Sequence, residues 1–370
     1  MLKLLLGLGI AMPPVLALFV ATGCNSNSAP PPVPTITALP ANMSNVILDV
    51  GTLHDVANPH NAYGLGIYLV DPSTGAMQGW AISRPLEEPN SGYGTFMQGV
   101  SWSQARGELL FGGMIGNKPA RFVVGGDGKA TDLKLLGDKD PQTEQSTFYD
   151  YAYSPDGSQV AYNRHDQRGA SDPNDDVYLQ SATGSTPSRI SEGLHGRSPA
   201  WSPDGAHLVF NSFQYPPAIY RVAVAPDAPD AAAAANAGAK PRSLVEGFRS
   251  AYAPAWSPDG KSIAFLGRRN EDDPVNLWVM DAEGGGLRSV VPLPDKLDQD
   301  ATGLAAFAWA PDSQRFVVLS DHAGPCTHNN IEGGGACSAS LHLVNVDGSG
   351  LTRLGLHTQS RFSAWLAWLP

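Results

Sequence analysis

The chain has 370 residues, of which 42% are hydrophobic and 16% charged, and it contains 40 Gly and 31 Pro. A turn-rich composition with this apolar content indicates an all-β globular body and argues against general disorder. The net charge is −11, so the chain lacks the excess of Lys and Arg with which proteins bind phosphate backbones. We therefore expect no nucleic acid partner.

Residues 1–23 have the layout of a secretory signal peptide. Lys3 precedes an apolar run that reaches Val20, and small residues then lead to Cys24. The segment "ATGC" resembles a bacterial lipobox, which implies that Cys24 becomes the lipidated first residue of the mature chain. An uncleaved membrane anchor, which Pro13 and Pro14 disfavour, and a cleaved signal with a free Cys24 are the alternatives.

Residues 24–44 contain the stretch "NSNSAPPPVPTITALP", which is rich in Ser, Asn and Pro. Such a composition has little to bury and favours a semi-extended tether. We therefore expect the folded body to occupy residues 45–370.

One pattern recurs along this body about every 50 residues, a period that indicates a propeller or a solenoid. The copies are "SWSQARGELLF" from Ser101, "AYSPDGSQVAY" from Ala152, "AWSPDGAHLVF" from Ala200, "AWSPDGKSIAF" from Ala255 and "AWAPDSQRFVV" from Ala308. Each copy predicts a strand, a tight turn and a second strand, because Pro, Asp and Gly suit successive turn positions. Third-strand hairpins such as "LHLVNVDGSG" follow. Four antiparallel strands per repeat predict a propeller blade.

Counting the repeats predicts a six-bladed β-propeller. Five units begin near Gln98, Asp150, Ser198, Tyr252 and Ala305. Residues 45–84 offer second, third and fourth strands without a first strand, and residues 361–370 offer a first strand with nothing after it. We predict that these two fragments form one split blade, because that pairing closes the ring without a free sheet edge at the junction.

Two cysteines lie in one Gly-rich insertion, "CTHNNIEGGGAC", from Cys326 to Cys337. In an exported chain this spacing predicts one disulfide that closes the insertion. A metal site that combines the pair with His322 or His328 is the alternative.

The "AWSPDG" start, together with endings such as "LHLVNVDGSGLTRL", resembles the TolB-type propeller repeat, a relative of the WD repeat, over residues 45–370. The resemblance implies the propeller and a cell-envelope setting. TolB itself carries an additional α/β domain ahead of its propeller, for which residues 24–44 leave no room. The repeat is specific for the fold and weak for function, since propellers host unrelated activities.

In a blade, the link to the next blade and the loop between strands two and three open on one face, here called the loop face. The opposite face, here called the turn face, carries the "SPDG" turns. Binding residues concentrate in loops on rigid scaffolds, and aromatic and Arg side chains are enriched in interfaces. The predicted binding residues on the loop face are Tyr149, Asp150, His195, Arg197, Arg249, Tyr252, Arg268 and His322.

The sequence contains no Gly-x-Ser-x-Gly elbow, phosphate loop or paired-His zinc helix, and we expect no cofactor. The enzymatic alternative is a metal-dependent propeller enzyme, such as a polysaccharide lyase or hydrolase, in which His54, His165 and His322 from three blades hold a transition metal. The acidic stretch "SDPNDDV" from Ser171 is either a calcium loop or a solvated loop tip.

Together these features predict an exported, lipid-anchored β-propeller of the bacterial cell envelope, in the periplasm or at the cell surface. We expect it to bind an envelope protein partner, with a small molecule or a saccharide as the other possible ligand.

Overall fold

The computed structural model describes residues 45–54, 62–83, 98–115, 118–124, 146–166, 174–182, 187–191, 193–224, 240–293, 303–321, 326–327, 336–337, 340–356 and 365–370. The predicted signal peptide at residues 1–23, with its lipidated Cys24, and the tether at residues 24–44 lie outside these ranges. Within them, no helix has the length and apolar character that a bilayer crossing requires.

The described elements are β-strands arranged in six larger sheets and one separate two-stranded ladder. Sheet 1 begins with β1 (Val46–His54), β2 (Ala62–Val70) and β3 (Met77–Ser83). Sheet 2 contains β4 (Gln98–Ser103), β5 (Glu108–Ile115) and β6 (Lys118–Val124). Sheet 3 contains β7 (Ser146–Tyr153), β8 (Gln159–Asp166), β9 (Asn174–Ser181) and β10 (Ser188–Arg189).

The second half of the chain continues the arrangement. Sheet 4 contains β11 (Gly196–Trp201), β12 (His207–Ser212), β13 (Ile219–Ala223) and β14 (Arg242–Ser243). Sheet 5 contains β15 (Ser250–Trp256), β16 (Ser262–Arg268), β17 (Asn276–Asp281) and β18 (Arg288–Ser289). Sheet 6 contains β19 (Leu304–Trp309), β20 (Arg315–Ser320), β23 (Ser340–Asn345) and β24 (Thr352–Leu356). Between β20 and β23, the short strands β21 (Cys326–Thr327) and β22 (Ala336–Cys337) form a separate ladder. The last strand, β25 (Trp365–Leu369), joins sheet 1 beside β1.

The all-β propeller prediction is confirmed, but the blade count is corrected. The described residues form five four-stranded blades, not six, because sheet 2 has three strands there. A fourth strand lies at the outer edge of its blade and pairs on one side only. β10, β14 and β18 are two residues long, whereas β3 and β24 are longer. The predicted fourth strand of the unit that begins near Gln98 falls in residues 125–145, outside the described residues.

The split blade is observed in the pairing of the two chain ends. β25 runs antiparallel to β1, with Leu369 opposite Val46 and Trp365 opposite Val50. The Asn45 amide donates a hydrogen bond to the carbonyl oxygen of Pro370 at 3.1 Å. β25 ends at the position where the other first strands enter their "SPDG" turn, which lies on the turn face. Because β1 runs antiparallel to β25, β1 begins on that same face. The chain therefore enters the propeller on the turn face.

The repeated turn is held by its own side chains, as the turn chemistry predicts. The Ser257 amide donates to the Ser262 carbonyl at 2.8 Å, while the Asp259 carboxylate accepts hydrogen bonds from the Ser257 hydroxyl at 2.7 Å and the Lys261 amide at 3.1 Å. Gly260 has a φ of +70°, which glycine adopts at little cost. The motif is therefore structural.

In two of the repeats, the Trp that marks the first strand connects neighbouring sheets. The indole Nε1 of Trp201 donates to the carbonyl of Ala152 in sheet 3 at 3.0 Å, and that of Trp309 donates to the carbonyl of Ala255 in sheet 5 at 3.2 Å. A buried indole needs such a partner for its polar end. In these two repeats the indole thus tethers a first strand to a neighbouring sheet, whereas the buried Nε1 of Trp256 has no hydrogen-bond partner among the described residues.

The core lies between the sheets. Val209 of sheet 4, for example, packs in one buried cluster with Phe265 of sheet 5, and Ile47 of sheet 1 packs with Val317 of sheet 6. The first strands contact one another in the pairs β4 with β7, β7 with β11, β11 with β15, β19 with β25, and β25 with β4. First strands therefore lie innermost, around an axis.

Glycines in the hairpins between third and fourth strands bring neighbouring sheets into backbone contact. An added Cβ would lie 2.8 Å from the carbonyl oxygen of Leu244 at Gly284, and 2.6 Å from that of Val290 at Gly348. At Gly75 it would meet the carbonyl oxygen of Leu354. Each hairpin thus rests on the outer part of the preceding sheet, and for Gly75 that sheet is sheet 6.

Candidate binding face

The inner strands of sheets 3, 4 and 5 share a bulge near the loop face. Strand pairing shifts register between Tyr149 and Ala152, between Arg197 and Ala200, and between Tyr252 and Ala255. The residue after the first partner in each case, Asp150, Ser198 or Ala253, has a φ between +50° and +53°. Non-glycine residues seldom adopt this conformation, and bulges re-aim the side chains next to them.

The first two bulges are joined across the sheet boundary. The Asp150 Oδ2 atom accepts hydrogen bonds from the Ser198 amide and the Ser198 hydroxyl, both at 3.1 Å. Burial raises the pKa of Asp150, and this effect exceeds the lowering by the Ser198 hydrogen bonds and the Arg197 charge. Sheets 3 and 4 therefore meet at a carboxylate with a raised pKa close to the axis.

Arg197 connects this carboxylate to a second acid and to an exposed ring. Its Nε donates to the Asp175 Oδ2 at 2.6 Å, and its Nη2 contacts the same oxygen. The guanidinium carbon lies 4.0 Å from the centroid of the Phe213 ring, within cation–π range. Arg197 is thus held in one orientation from two sides.

The described end of the acidic stretch from Ser171 is not a solvated loop tip, and the calcium alternative stays a prediction because residues 171–173 lie outside the described residues. Asp175 and Asp176 lie in β9 and are only 4% and 2% exposed. Asp176 accepts hydrogen bonds from Arg189 Nε at 2.7 Å and from the Ser191 hydroxyl. Buried carboxylates need such partners, so these two act as ion-pair acceptors. Among the described residues, no group of three or more His, Cys, Asp or Glu is placed to hold a metal ion.

A second polar group lies on sheet 5. The Arg249 Nη2 is 3.5 Å from the Glu271 Oε1, and the Arg268 Nη1 donates to the Glu271 carbonyl at 2.7 Å. Burial raises the pKa of Tyr252, and the nearby Arg268 charge acts in the opposite direction. Arg249, Tyr252 and Arg268 therefore belong to one local group, as Asp150 and Arg197 belong to another.

The remaining predicted residues are placed only in part. The carbonyl of His195, which has a φ of +52°, accepts the Phe213 amide at 3.0 Å. The backbones of Tyr149 and His165 pair with Asn163 and Asp175 in sheet 3. The backbone of His54 pairs with Ala62 at the end of β1.

Several predictions about these residues stay open. The side chains of Tyr149, His54 and His165 are not described, and His322 lies outside the described residues, so the three-histidine metal site stays a prediction. Cys326 and Cys337 stand directly opposite each other in the β21–β22 ladder. Their disulfide also stays a prediction.

The sequence does not reveal three contributors to the loop face. Asp175 reads as part of an acidic loop, Ser198 reads only as the start of a repeat unit, and Tyr215 does not stand out, although it is 80% exposed. The stretch "SFQYPPA" contains a signal for Tyr215. It places two aromatic residues beside two prolines in a short loop between strands, where large apolar side chains have little to pack against.

Sheets of antiparallel strands with first strands around an axis and a side-chain-rich loop face define the class of this protein, a β-propeller. Its structure is similar to a candidate TolB of Agrobacterium tumefaciens, with 17% identity, a TM-score of 0.54 and coverage of 89% of this chain and 100% of that one. It is also similar to TolB of Acinetobacter baumannii, with 16% identity, a TM-score of 0.57 and coverage of 88% and 67%. The TolB-type resemblance is therefore confirmed for the fold.

Other matches carry hydrolase and peptidase names. A puromycin hydrolase structure matches with 15% identity and a TM-score of 0.51, over 84% of this chain and 46% of that one. Dipeptidyl-peptidase 5 of Porphyromonas gingivalis is 27% identical over 167 residues, and the uncharacterized peptidase YuxL of Bacillus subtilis is 33% identical over 74 residues. The matches span 22% and 10% of the length of these two relatives. No family model matches the chain.

Proposed function

We propose that this chain is an exported β-propeller of the bacterial cell envelope, in the periplasm or at the cell surface, that binds a protein partner through its loop face. One observation carries the proposal: ionic and aromatic side chains form one local group on sheets 3 and 4 and another on sheet 5, near three left-handed bulges. Rigid scaffolds that present such loops are suited to binding. The TolB-like fold supports a scaffold role.

The proposal includes a closed ring over residues 45–370. The three-stranded sheet 2 then lies in the ring between sheets 1 and 3, since β4 contacts both β25 and β7. Three observations support closure: β25 pairs with β1, β25 contacts β4, and Gly75 of sheet 1 rests on Leu354 of sheet 6. A closed ring of blades leaves only short, protected sheet edges.

The membrane attachment in this proposal is a lipid on Cys24 after removal of residues 1–23. The chain enters the propeller on the turn face, where the Asn45 amide donates to the Pro370 carbonyl at 3.1 Å. The tether of residues 24–44 then joins the body opposite the loop face. That geometry leaves the loop face open to a partner.

An enzymatic role is the second candidate, because both curated relatives carry peptidase names. In this alternative the propeller belongs to a peptidase-type protein. A metal-dependent lyase or hydrolase built on His54, His165 and His322 is the other enzymatic form. Either form predicts turnover by the purified chain, and the second also predicts a stoichiometric metal.

A charge reversal on the loop face tests the binding proposal. Arg249 is 43% exposed at its side chain and only loosely paired, so Arg249→Glu should leave the fold intact. We expect it to abolish partner capture by chemical cross-linking in cells, whereas Lys261→Glu on the turn face, where the Lys261 side chain is 82% exposed, should leave capture unchanged. Equal capture by both variants would refute the loop face as the binding surface. Turnover with a bound metal would establish the enzymatic alternative.

A further inference from the structure

The loop between β12 and β13 carries the exposed large hydrophobic side chains of the described residues. Phe213 is 61% exposed and Tyr215 is 80% exposed. Gln214 and Pro216 are exposed as well, so the tip projects from the loop face. We call residues 213–217 the aromatic knob.

The aromatic knob is held by the preceding inter-blade link. The Phe213 amide donates to the His195 carbonyl at 3.0 Å, the Ser212 hydroxyl donates to the Leu194 carbonyl at 2.7 Å, and the Gln214 Nε2 donates to the Gly193 carbonyl at 2.9 Å. A loop fixed at this many points loses little conformational entropy when it is bound. The Phe213 and Tyr215 rings are therefore exposed on a loop whose start is hydrogen-bonded to the neighbouring link.

A fixed cation lies directly beside the knob. The Arg197 guanidinium contacts the Phe213 ring and uses its Nε and Nη2 atoms on the buried Asp175. Its Nη1 atom has no hydrogen-bond partner within the described part of the chain. The knob therefore combines apolar rings with one oriented, unused N–H donor group.

We infer that the aromatic knob is the anchor that inserts into an apolar pocket of a protein partner, whose pocket rim carries a carboxylate that pairs with Arg197. This inference rests on the proposed function and specifies the partner's surface. Small ligands bind in concave sites, and a projecting ring such as Tyr215 is desolvated fully only by a partner that encloses it. Exposed aromatic anchors that fill partner pockets carry a large share of interface energy.

The test begins with a photo-reactive residue. Tyr215 is replaced by benzoylphenylalanine in cells, cross-links are formed by light, and the attached protein and peptide are identified by mass spectrometry. That protein is then purified, and its Kd for the unmodified chain and for the Tyr215→Ala and Lys261→Ala variants is measured by calorimetry. We expect Tyr215→Ala to weaken binding about 30-fold or more, with an unchanged melting temperature, and Lys261→Ala to have no effect.

The outcomes separate the two proposals. If Tyr215→Ala binds the purified protein within twofold of the unmodified chain while Arg249→Glu does not bind, the knob is not the anchor but the loop face still binds. If neither variant alters capture, both proposals are wrong. A cross-link to a second copy of this chain, with a dimer in sedimentation equilibrium, or a Tyr215 that binds only a saccharide, would overturn the assigned occupant.

Discussion

Replacement of Gly75 by alanine tests the contact between the first and last sheets. Gly75 has a φ of +71°, and an added Cβ would meet the carbonyl oxygen of Leu354, with the carbonyl carbon 3.2 Å away. Gly286 offers a matched control in an equivalent hairpin: its φ is +65°, and an added Cβ would meet nothing within 4 Å. The two substitutions therefore share the backbone cost and differ in the contact with a neighbouring sheet.

The expected losses of stability follow from the backbone cost and from the contact with Leu354. Alanine in a left-handed conformation costs roughly 1–2 kcal/mol relative to glycine, and this applies at both positions. At Gly75 the hairpin must also move away from Leu354, and forced overpacking costs about 1–3 kcal/mol. We expect Gly75→Ala to lower the free energy of unfolding by roughly 2–5 kcal/mol and Gly286→Ala by roughly 1–2 kcal/mol.

Urea unfolding followed by tryptophan fluorescence measures both variants against the unmodified chain. The extra loss at Gly75 should also lower the melting temperature by about 2–4 °C for each kcal/mol. Equal losses for Gly75→Ala and Gly286→Ala would refute the contact between sheets 1 and 6, and with it the main support for a closed ring.

Three further predictions concern the anchor, the insertion and the turns. Membrane-extracted protein should begin at Cys24 with added acyl mass, and Cys24→Ser should release it from membranes; a chain that still begins at Met1 would contradict this. Cys326 and Cys337 should resist thiol labelling until a reductant is added, because they stand opposite each other in β21–β22; labelling without reductant would exclude the disulfide. The hydrogen bond from Ser202 lowers the pKa of Asp204 in the folded state. The ionised Asp204 therefore stabilises the fold above about pH 4, and this stabilisation is lost as the pH falls through the folded-state pKa. The difference in melting temperature between the unmodified chain and Asp204→Asn should therefore shrink from pH 6 to pH 2.5, and a constant difference would contradict the assignment.

The sequence by itself determined the turns, the strand order and the split blade. The Ser257 to Gly260 turn forms from hydrogen bonds among residues at most five positions apart, so its chemistry can be read from a short window. Trp368 repeats the position of Trp256, which was enough to predict that the chain end supplies a first strand. Such local patterns repeat often enough to identify a propeller without any knowledge of long-range contacts.

Only the tertiary structure decided how the loop face is assembled. Asp175 reads as part of an acidic loop, yet it is buried against Arg197, which is 22 residues away, and Asp150 meets Ser198 at a distance of 48 residues. The exposure of Tyr215 likewise depends on which loops lie beside it. These outcomes depend on how successive sheets are arranged around the axis, and a pattern that is local to one blade carries no information about its neighbour's side chains.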